Sequence, residues 1–234
     1  MKIIVTGAAQ GLGAAVVKAL SSPFYGRPPI ADAIMPVDIL TGEDVGDIRS
    51  LHHVREWAYD GLDFLINCAG INRNEWFENI TLNHFEDVMR TNAYGIVSMT
   101  LACLDGLIAR KGCVINIVSN AAHIPMTSSL AYNASKAAAL MITKQMAHEL
   151  TPKYGLTVFS VSPNKLEGTG MSRQIEENVQ RVRGWTPEYA REYQRKALMH
   201  GLETPPQHVA EFIANLISTG GWKYLSGCDI PFGK

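Results

Sequence analysis

The sequence predicts an α/β fold: a doubly wound, mostly parallel seven-stranded sheet with helices on both faces, forming one domain over residues 1–234. Three observations carry this. Short apolar runs alternate with helical patterns along the whole chain. The first run, KIIVTG, passes directly into a glycine-rich turn and then a helix. With 234 residues, 47% of them hydrophobic and 18% charged, the chain is large enough for one good core. Strands joined through helices must run parallel, and the expected strand order is 3-2-1-4-5-6-7.

A net charge of -1 gives no electrostatic reason to expect nucleic acid or an anionic membrane as partner. Cys68, Cys103, Cys113 and Cys228 show no metal-ligand spacing and three of them fall in apolar runs, so the expectation is free thiols in a reducing, cytoplasmic compartment and no metal. Met1 is followed at once by a strand, and no apolar stretch reads as long enough to span a bilayer.

In order along the chain, Lys2 to Gly13 reads as strand, tight turn and helix start. Gly7, Gly11 and Gly13 let the backbone approach a pyrophosphate, which the helix N-terminus favours, with Gln10 and Leu12 between them on the same turn. Residues 21–30 are rich in Pro, Gly and Ser and read as loop. The second strand, ADAIMPVD, contains Pro36, which lacks the amide proton a central strand needs and so points to a sheet edge. Asp38 ends it, where an acidic side chain meets adenosine ribose hydroxyls and repels the extra phosphate of NADP, so NAD is expected over NADP.

A very short third strand is expected within GEDVGDI (42–48), followed by a helix over 50–59 and a fourth strand in DFLINCAG (63–70). Residues 86–107 read as one long helix with Asn92 inside it, an unfavourable place for a side chain that competes for backbone hydrogen bonds. GCVINIVS reads as a buried strand that delivers Ser119 to its tip. On the helix that follows, Tyr132 and Lys136 are four residues apart and share one face. A phenol alone titrates near pH ~10; a neighbouring ammonium favours the phenolate and makes it useful as a general acid or base. LTVFSVS (156–162) reads as a sixth strand, 170–206 as two short helices joined near Gly184, 206–218 as a helix, and 227–233 as a last strand and tail.

The stretch Tyr132-Asn-Ala-Ser-Lys136 with Ser119 thirteen residues upstream, together with the glycine turn T-G-x-x-x-G-x-G, resembles the signature of the short-chain dehydrogenase/reductase family, and the resemblance runs over essentially the whole chain. It implies a Rossmann-like fold and hydride transfer between NAD(H) and a small-molecule alcohol or carbonyl. Tyr132 would be the general acid/base, Ser119 would orient the reacting oxygen, and Lys136 would hold the ribose and tune the tyrosine. Asn92, within N-A-Y-G, would supply a proton path through its backbone carbonyl at a helix kink. It also implies cofactor contacts from Asp44 and Val45, from Asn67, Ala69 and Gly70 (with Cys68 in place of a second Asn), and from Pro163, Leu166 and Thr169, with Asn164 standing where relatives carry Gly. A substrate lid over about 170–206 and a homotetramer or homodimer belong to the same expectation.

Ala138, six residues after Tyr132, argues against the enoyl-reductase branch, and Lys136 rather than Arg against a dehalogenase-like one. A dinucleotide-sensing or scaffold protein without turnover is the alternative from another class. Met171, Trp185 and Tyr189 on the lid, and Arg73, Asn74, Trp76, Asn120, His123 and Lys165 elsewhere, are candidates to border the substrate. Arg73 and Lys165 raise the question of an anionic substrate, against which solvated surface charge is the plainer reading.

Overall fold

A computed structural model of the chain describes residues 1–23, 28–198 and 201–233, apart from the side chain of Gln194. Residues 24–27 of the loop expected over 21–30, and 199–200 of the expected lid, lie outside the described residues.

Six strands form one parallel sheet: β1 (Lys2–Thr6), β2 (Ala33–Val37), β3 (Phe64–Asn67), β4 (Cys113–Ile117), β5 (Thr157–Pro163) and β6 (Asp229–Phe232), in the order β2-β1-β3-β4-β5-β6. Pro36 lies opposite Val5 on β2, an edge strand, as its missing amide requires. This is the expected order with one strand removed. The expected third strand, placed at 42–48, does not form, because side chains there capture the backbone locally. Asp38 accepts from the Leu40 amide at 3.0 Å, Asp44 from Gly46 at 2.8 Å and Asp47 from Arg49 at 3.0 Å, while Ser50 donates to the carbonyls of Asp44 and Asp47, both at 2.9 Å. Such turns compete directly with strand pairing.

Alternation along the central strands sends side chains to both faces. Ile3, Val5, Phe64, Ile66, Ile115, Phe159 and Val161 pack against α1 (Gly11–Ser21) and α8 (Pro206–Thr219) through Leu12, Val16, Leu20, Val209, Ile213 and Ile217. Ile4, Leu65, Val114 and Val158 face the other way, against α2 (His52–Ala58) and α4 (Gly95–Arg110) through Val54, Ala58, Met99, Cys103 and Leu107.

The long helical pattern at 86–107 is α3 (Leu82–Met89), one π-helical turn (Arg90–Tyr94) and α4 in continuous succession. Together Leu82–Arg110 are long and apolar enough to cross a bilayer, contrary to the sequence expectation, but 56% of the apolar window is buried inside the protein, against the sheet and α2. α5 (Leu130–Tyr154) leads into β5, and α6 (Gly170–Arg183) and α7 (Pro187–Ala197) follow it, joined at Gly184, whose φ of 66° ends α6 in the left-handed region.

The closest helix contact lies at Gly106, where an added Cβ would sit 2.0 Å from the Ala58 carbonyl oxygen. Gly106→Ala should lower stability by about 1–3 kcal/mol in urea unfolding, the overpacking cost exceeding the gain in helix propensity. An unchanged midpoint would mean that α2 yields freely.

Candidate active site

The C-terminal tips of the strands border a cavity of about 600 Å³. At one end, β1 runs into the glycine turn. Gly7 has φ 62° and an added Cβ there would lie 2.8 Å from the Ala69 backbone, while one on Gly13 would meet the Gly7 carbonyl oxygen at 2.1 Å. Thr6 fixes this approach, its hydroxyl accepting from the amides of Cys68 and Ala69, both at 3.1 Å. The turn is therefore a cradle that only glycine permits, open to the cavity at the head of α1. Gln10, Gly11 and Leu12 line it too, with Ala69 and Gly70.

Beyond the turn stand three carboxylates. Asp38, 9% exposed, accepts from the Ala9 amide at 3.0 Å, and Glu43, Asp44 and Val45 continue the same wall. Asp44 and Val45 thus reach the cavity from a turn rather than from a strand. Pro163, Leu166 and Thr169 border it from the β5 side, with Thr169 also capping α6 by accepting from the Ser172 amide at 3.0 Å. Asn164 ties this loop down, its amide N–H donating to the Phe232 carbonyl at 3.0 Å and its side-chain oxygen accepting from Thr204 at 2.6 Å.

Ser119, Tyr132 and Lys136 come together in the middle. Ser119 leaves the tip of β4, its hydroxyl accepting from the Ala121 amide at 3.1 Å, and it lies beside the Tyr132 phenol. Lys136, 5% exposed, donates from Nζ to the Ile117 carbonyl at 2.9 Å and lies 5.8 Å from the centre of the Tyr132 ring. Burial brings its ammonium down to about 8. Burial also pushes the Tyr132 phenol up, and the Ser119 hydroxyl pulls it back only in part. The ammonium is turned towards a carbonyl, with its charge within reach of the Tyr132 ring.

Two of the expected residues stand behind the cavity rather than on its wall. Asn67 donates to Asn116 Oδ1 at 2.9 Å, and Asn116 in turn to Thr143 at 2.9 Å, so its side chain braces β3 against β4 and α5. Asn92 sits on the π-helical turn, accepting from the Ile71 amide and donating to the Ile71 carbonyl and to Ser135, all at 2.9 Å. It clasps the loop after β3 to the helix that carries Tyr132 and Lys136.

Of the substrate candidates, Asn74, Asn120, Lys165 and Met171 line the cavity, and Arg73, Trp76, His123, Trp185 and Tyr189 do not. Arg73 pairs with Asp87 at 3.6 Å, His123 Nε2 lies 2.8 Å from Asp229, and Trp76 donates to the Val182 carbonyl at 2.8 Å. Trp185 stacks with Tyr189 and Tyr193 at 5.0 and 4.7 Å between ring centres. Sequence reading missed Arg183, Tyr193, Ile175 and Val179, which turn inward from the lid helices. The spacing of Ile175, Val179 and Arg183 by four residues was the available signal.

Residues 34–180, more than half of the chain, match the family model described as short chain dehydrogenase. The chain belongs to the short-chain dehydrogenase family. The acetoacetyl-CoA reductase of Shinella zoogloeoides is 32% identical over 189 residues, covering 75% of this chain and 78% of that protein. The vibriobactin-specific 2,3-dihydro-2,3-dihydroxybenzoate dehydrogenase of Vibrio cholerae is 29% identical over 215 residues, covering 80% and 74%. A variant of the actinorhodin polyketide ketoreductase, solved with NADPH, superposes with a TM-score of 0.84 at 23% identity, covering 98% and 94%, a likeness of fold. As a short-chain dehydrogenase the chain is an oxidoreductase acting between CH–OH and C=O groups of small molecules with a nicotinamide dinucleotide, and the glycine cradle and the cavity fit that group.

The buried amine sets a stability signature. Its folded-state pKa lies below the unfolded value of 10.5, so the cost of burying the charge is present in full below about pH 8 and relieved as pH rises from there to 10.5. Lys136→Met should be the more stable at pH 7, by an amount of the order of 3 kcal/mol at most, and that advantage should shrink by pH 10 in urea unfolding. A difference independent of pH would mean that the ammonium is solvated.

Proposed function

We propose that this protein is an NAD(H)-dependent dehydrogenase/reductase that interconverts a secondary alcohol and a ketone, with Tyr132 as the general acid/base. The observation that carries the reading is that Ser119, Tyr132 and buried Lys136 line the same cavity as the glycine cradle.

The dinucleotide, when bound, supplies or accepts the hydride. The chain does the rest. Backbone amides of the glycine turn and the head of α1 hold the phosphates. Asp38 takes the adenosine ribose hydroxyls, and with Glu43 and Asp44 on the same wall the extra phosphate of NADP would meet three carboxylates. Gln10 and Ile39 put no base there. Lys136 would hold the nicotinamide ribose, and its charge would favour the Tyr132 phenolate. Ser119 holds the substrate oxygen, to which Tyr132 gives a proton in reduction and from which it takes one in oxidation. The π-helical turn frees backbone near Asn92 from the ordinary helix ladder, which supports a proton route past Lys136 through the Asn92 carbonyl. Tyr94 on the π-helical turn, Val97 and Leu101 on α4 and Met141 on α5 are exposed apolar side chains, and they support a homodimer or homotetramer.

The test is oxidation of NADH and NADPH across a ketone panel, with the reverse reaction across secondary alcohols. Turnover with NADH favoured over NADPH is expected, and Asp38→Ala should narrow that ratio about 10-fold, the scale of one charge-assisted contact. Preference for NADPH in the wild type, or a ratio untouched by the substitution, would refute the cofactor assignment.

A further inference from the structure

Charge is divided unevenly along the cavity wall. The lining carboxylates, Asp38, Glu43 and Asp44, stand together at the β2 end. At the opposite end, where α6 lies over the loop between β4 and α5, the wall carries the guanidinium of Arg183. Its Nε donates to the Ser128 hydroxyl at 3.2 Å, Nη2 donates to the Thr127 carbonyl, and the group stacks on Trp185 at 4.7 Å. These partners are neutral. Among the described residues no carboxylate pairs with Arg183, and Nη1 has no protein acceptor.

The other cations near this end are already engaged. Lys165 lies 2.6 Å from Glu176 and 2.6 Å from Glu203, and Lys136 is bound to the Ile117 carbonyl. Around Arg183 the wall is apolar, formed by Ile175 and Val179 on α6 and by Ile124 and Met126 on the facing loop. Burial lowers the Arg183 pKa, and Tyr193 beside it offsets that shift only in part. A second feature points to the same place. Ser128 has φ 56°, a strained conformation for a residue with a side chain, and it is held there by the Glu75 amide, which donates to its carbonyl at 3.0 Å. That conformation presents the Ser128 hydroxyl to Arg183 as an acceptor and so fixes the guanidinium from behind the cavity wall.

We propose that Arg183, positioned by Ser128, forms a carboxylate-recognition subsite, and that the substrates are oxo acids and the corresponding hydroxy acids with an apolar body between carbonyl and carboxylate. This deepens the redox reading above and rests on it for the carbonyl. The free edge of the guanidinium offers Nη1 and Nη2 donors to a carboxylate, in surroundings where a charge-assisted pair is strong. Arg183 is thereby a specificity-determining residue as well as a tie between the lid and the loop at 127–128.

The test compares acetoacetate, levulinate and acetylbenzoate with their methyl esters, on wild type, Arg183→Gln and Arg183→Lys. Binding is read from tryptophan fluorescence, with Trp185→Phe as the reference that assigns the signal, and turnover is read with NADH. Wild type should favour at least one acid over its ester by roughly 10- to 100-fold in Kd and in kcat/KM, the range of a hydrogen bond to a charged group. Arg183→Gln should erase that ratio, the acids losing more than their esters in Kd and KM; Arg183→Lys, which keeps the charge but not the fork, should retain part of it. No preference for any acid in the wild type, a preference that survives in Arg183→Gln, or equal losses on acids and esters would overturn the subsite; the last would make Arg183 a lid tie alone. Acid binding that depends on Arg183 without turnover of any ketone would support the subsite and contradict the redox reading.

Discussion

Lys136 carries an ammonium to a position where only 5% of the residue meets water, and much of the surrounding structure serves to make that tolerable. An ammonium cannot stay charged in such a place without a hydrogen-bond acceptor, and the Ile117 carbonyl at the tip of β4 provides one at 2.9 Å. The acceptor is available because β4 ends there and passes into the loop that begins at Ser119. Space for the side chain comes from Gly70, where an added Cβ would lie 3.6 Å from Nζ and 3.3 Å from Asn92 Oδ1. One buried cation thus links the ends of β3 and β4, the π-helical turn and α5. Its pKa, down to about 8, is the trace of an imperfect compromise that a ligand with ribose hydroxyls would improve.

The loop between β4 and α5 is held from three directions. Asn133 donates to the carbonyls of Ala121 and Ile124 at 2.7 and 2.6 Å, Asn74 donates to Ser129 at 3.1 Å, and Arg183 reaches it from the lid. Ser119 therefore meets Tyr132 on a braced segment, so the oxygen-binding geometry exists before a substrate arrives. The lid is joined to the same region a second time through Trp76, whose indole donates to the Val182 carbonyl. The position of Ser119 and the shape of the cavity wall share these contacts.

Most of the fold was legible because strand and helix periodicities are local properties, and because Pro36, Asp38 and the glycine turn each have a narrow set of tolerable positions. The chain's own Asp and Ser side chains defeated the strand expected at 42–48, a competition that hydrophobic pattern does not display. In the site, Ser119, Tyr132 and Lys136 were readable from spacing because one helix and one strand tip carry them. The direction of the Lys136 side chain was not, since it depends on a carbonyl nineteen residues away. The same limit explains the lid. Trp185 and Tyr189 look like pocket residues by type, yet they pack edge to face on each other, while Arg183, held by Thr127 and Ser128, and Tyr193 line the cavity. Arg73, His123 and Trp76 are engaged by partners distant in sequence or on another helix face, which no local pattern reveals.

The central claim is that Tyr132 moves the proton in a cavity that holds a nicotinamide dinucleotide. It is tested most directly by measuring NADH binding and ketone turnover side by side in wild type and Tyr132→Phe. Removing one hydroxyl leaves the cradle, the Asp38 wall and Lys136 in place, so the account predicts NADH affinity within about 2-fold and turnover lower by about 10²–10⁴-fold, the usual worth of a general acid. Equal turnover in the two proteins would contradict it.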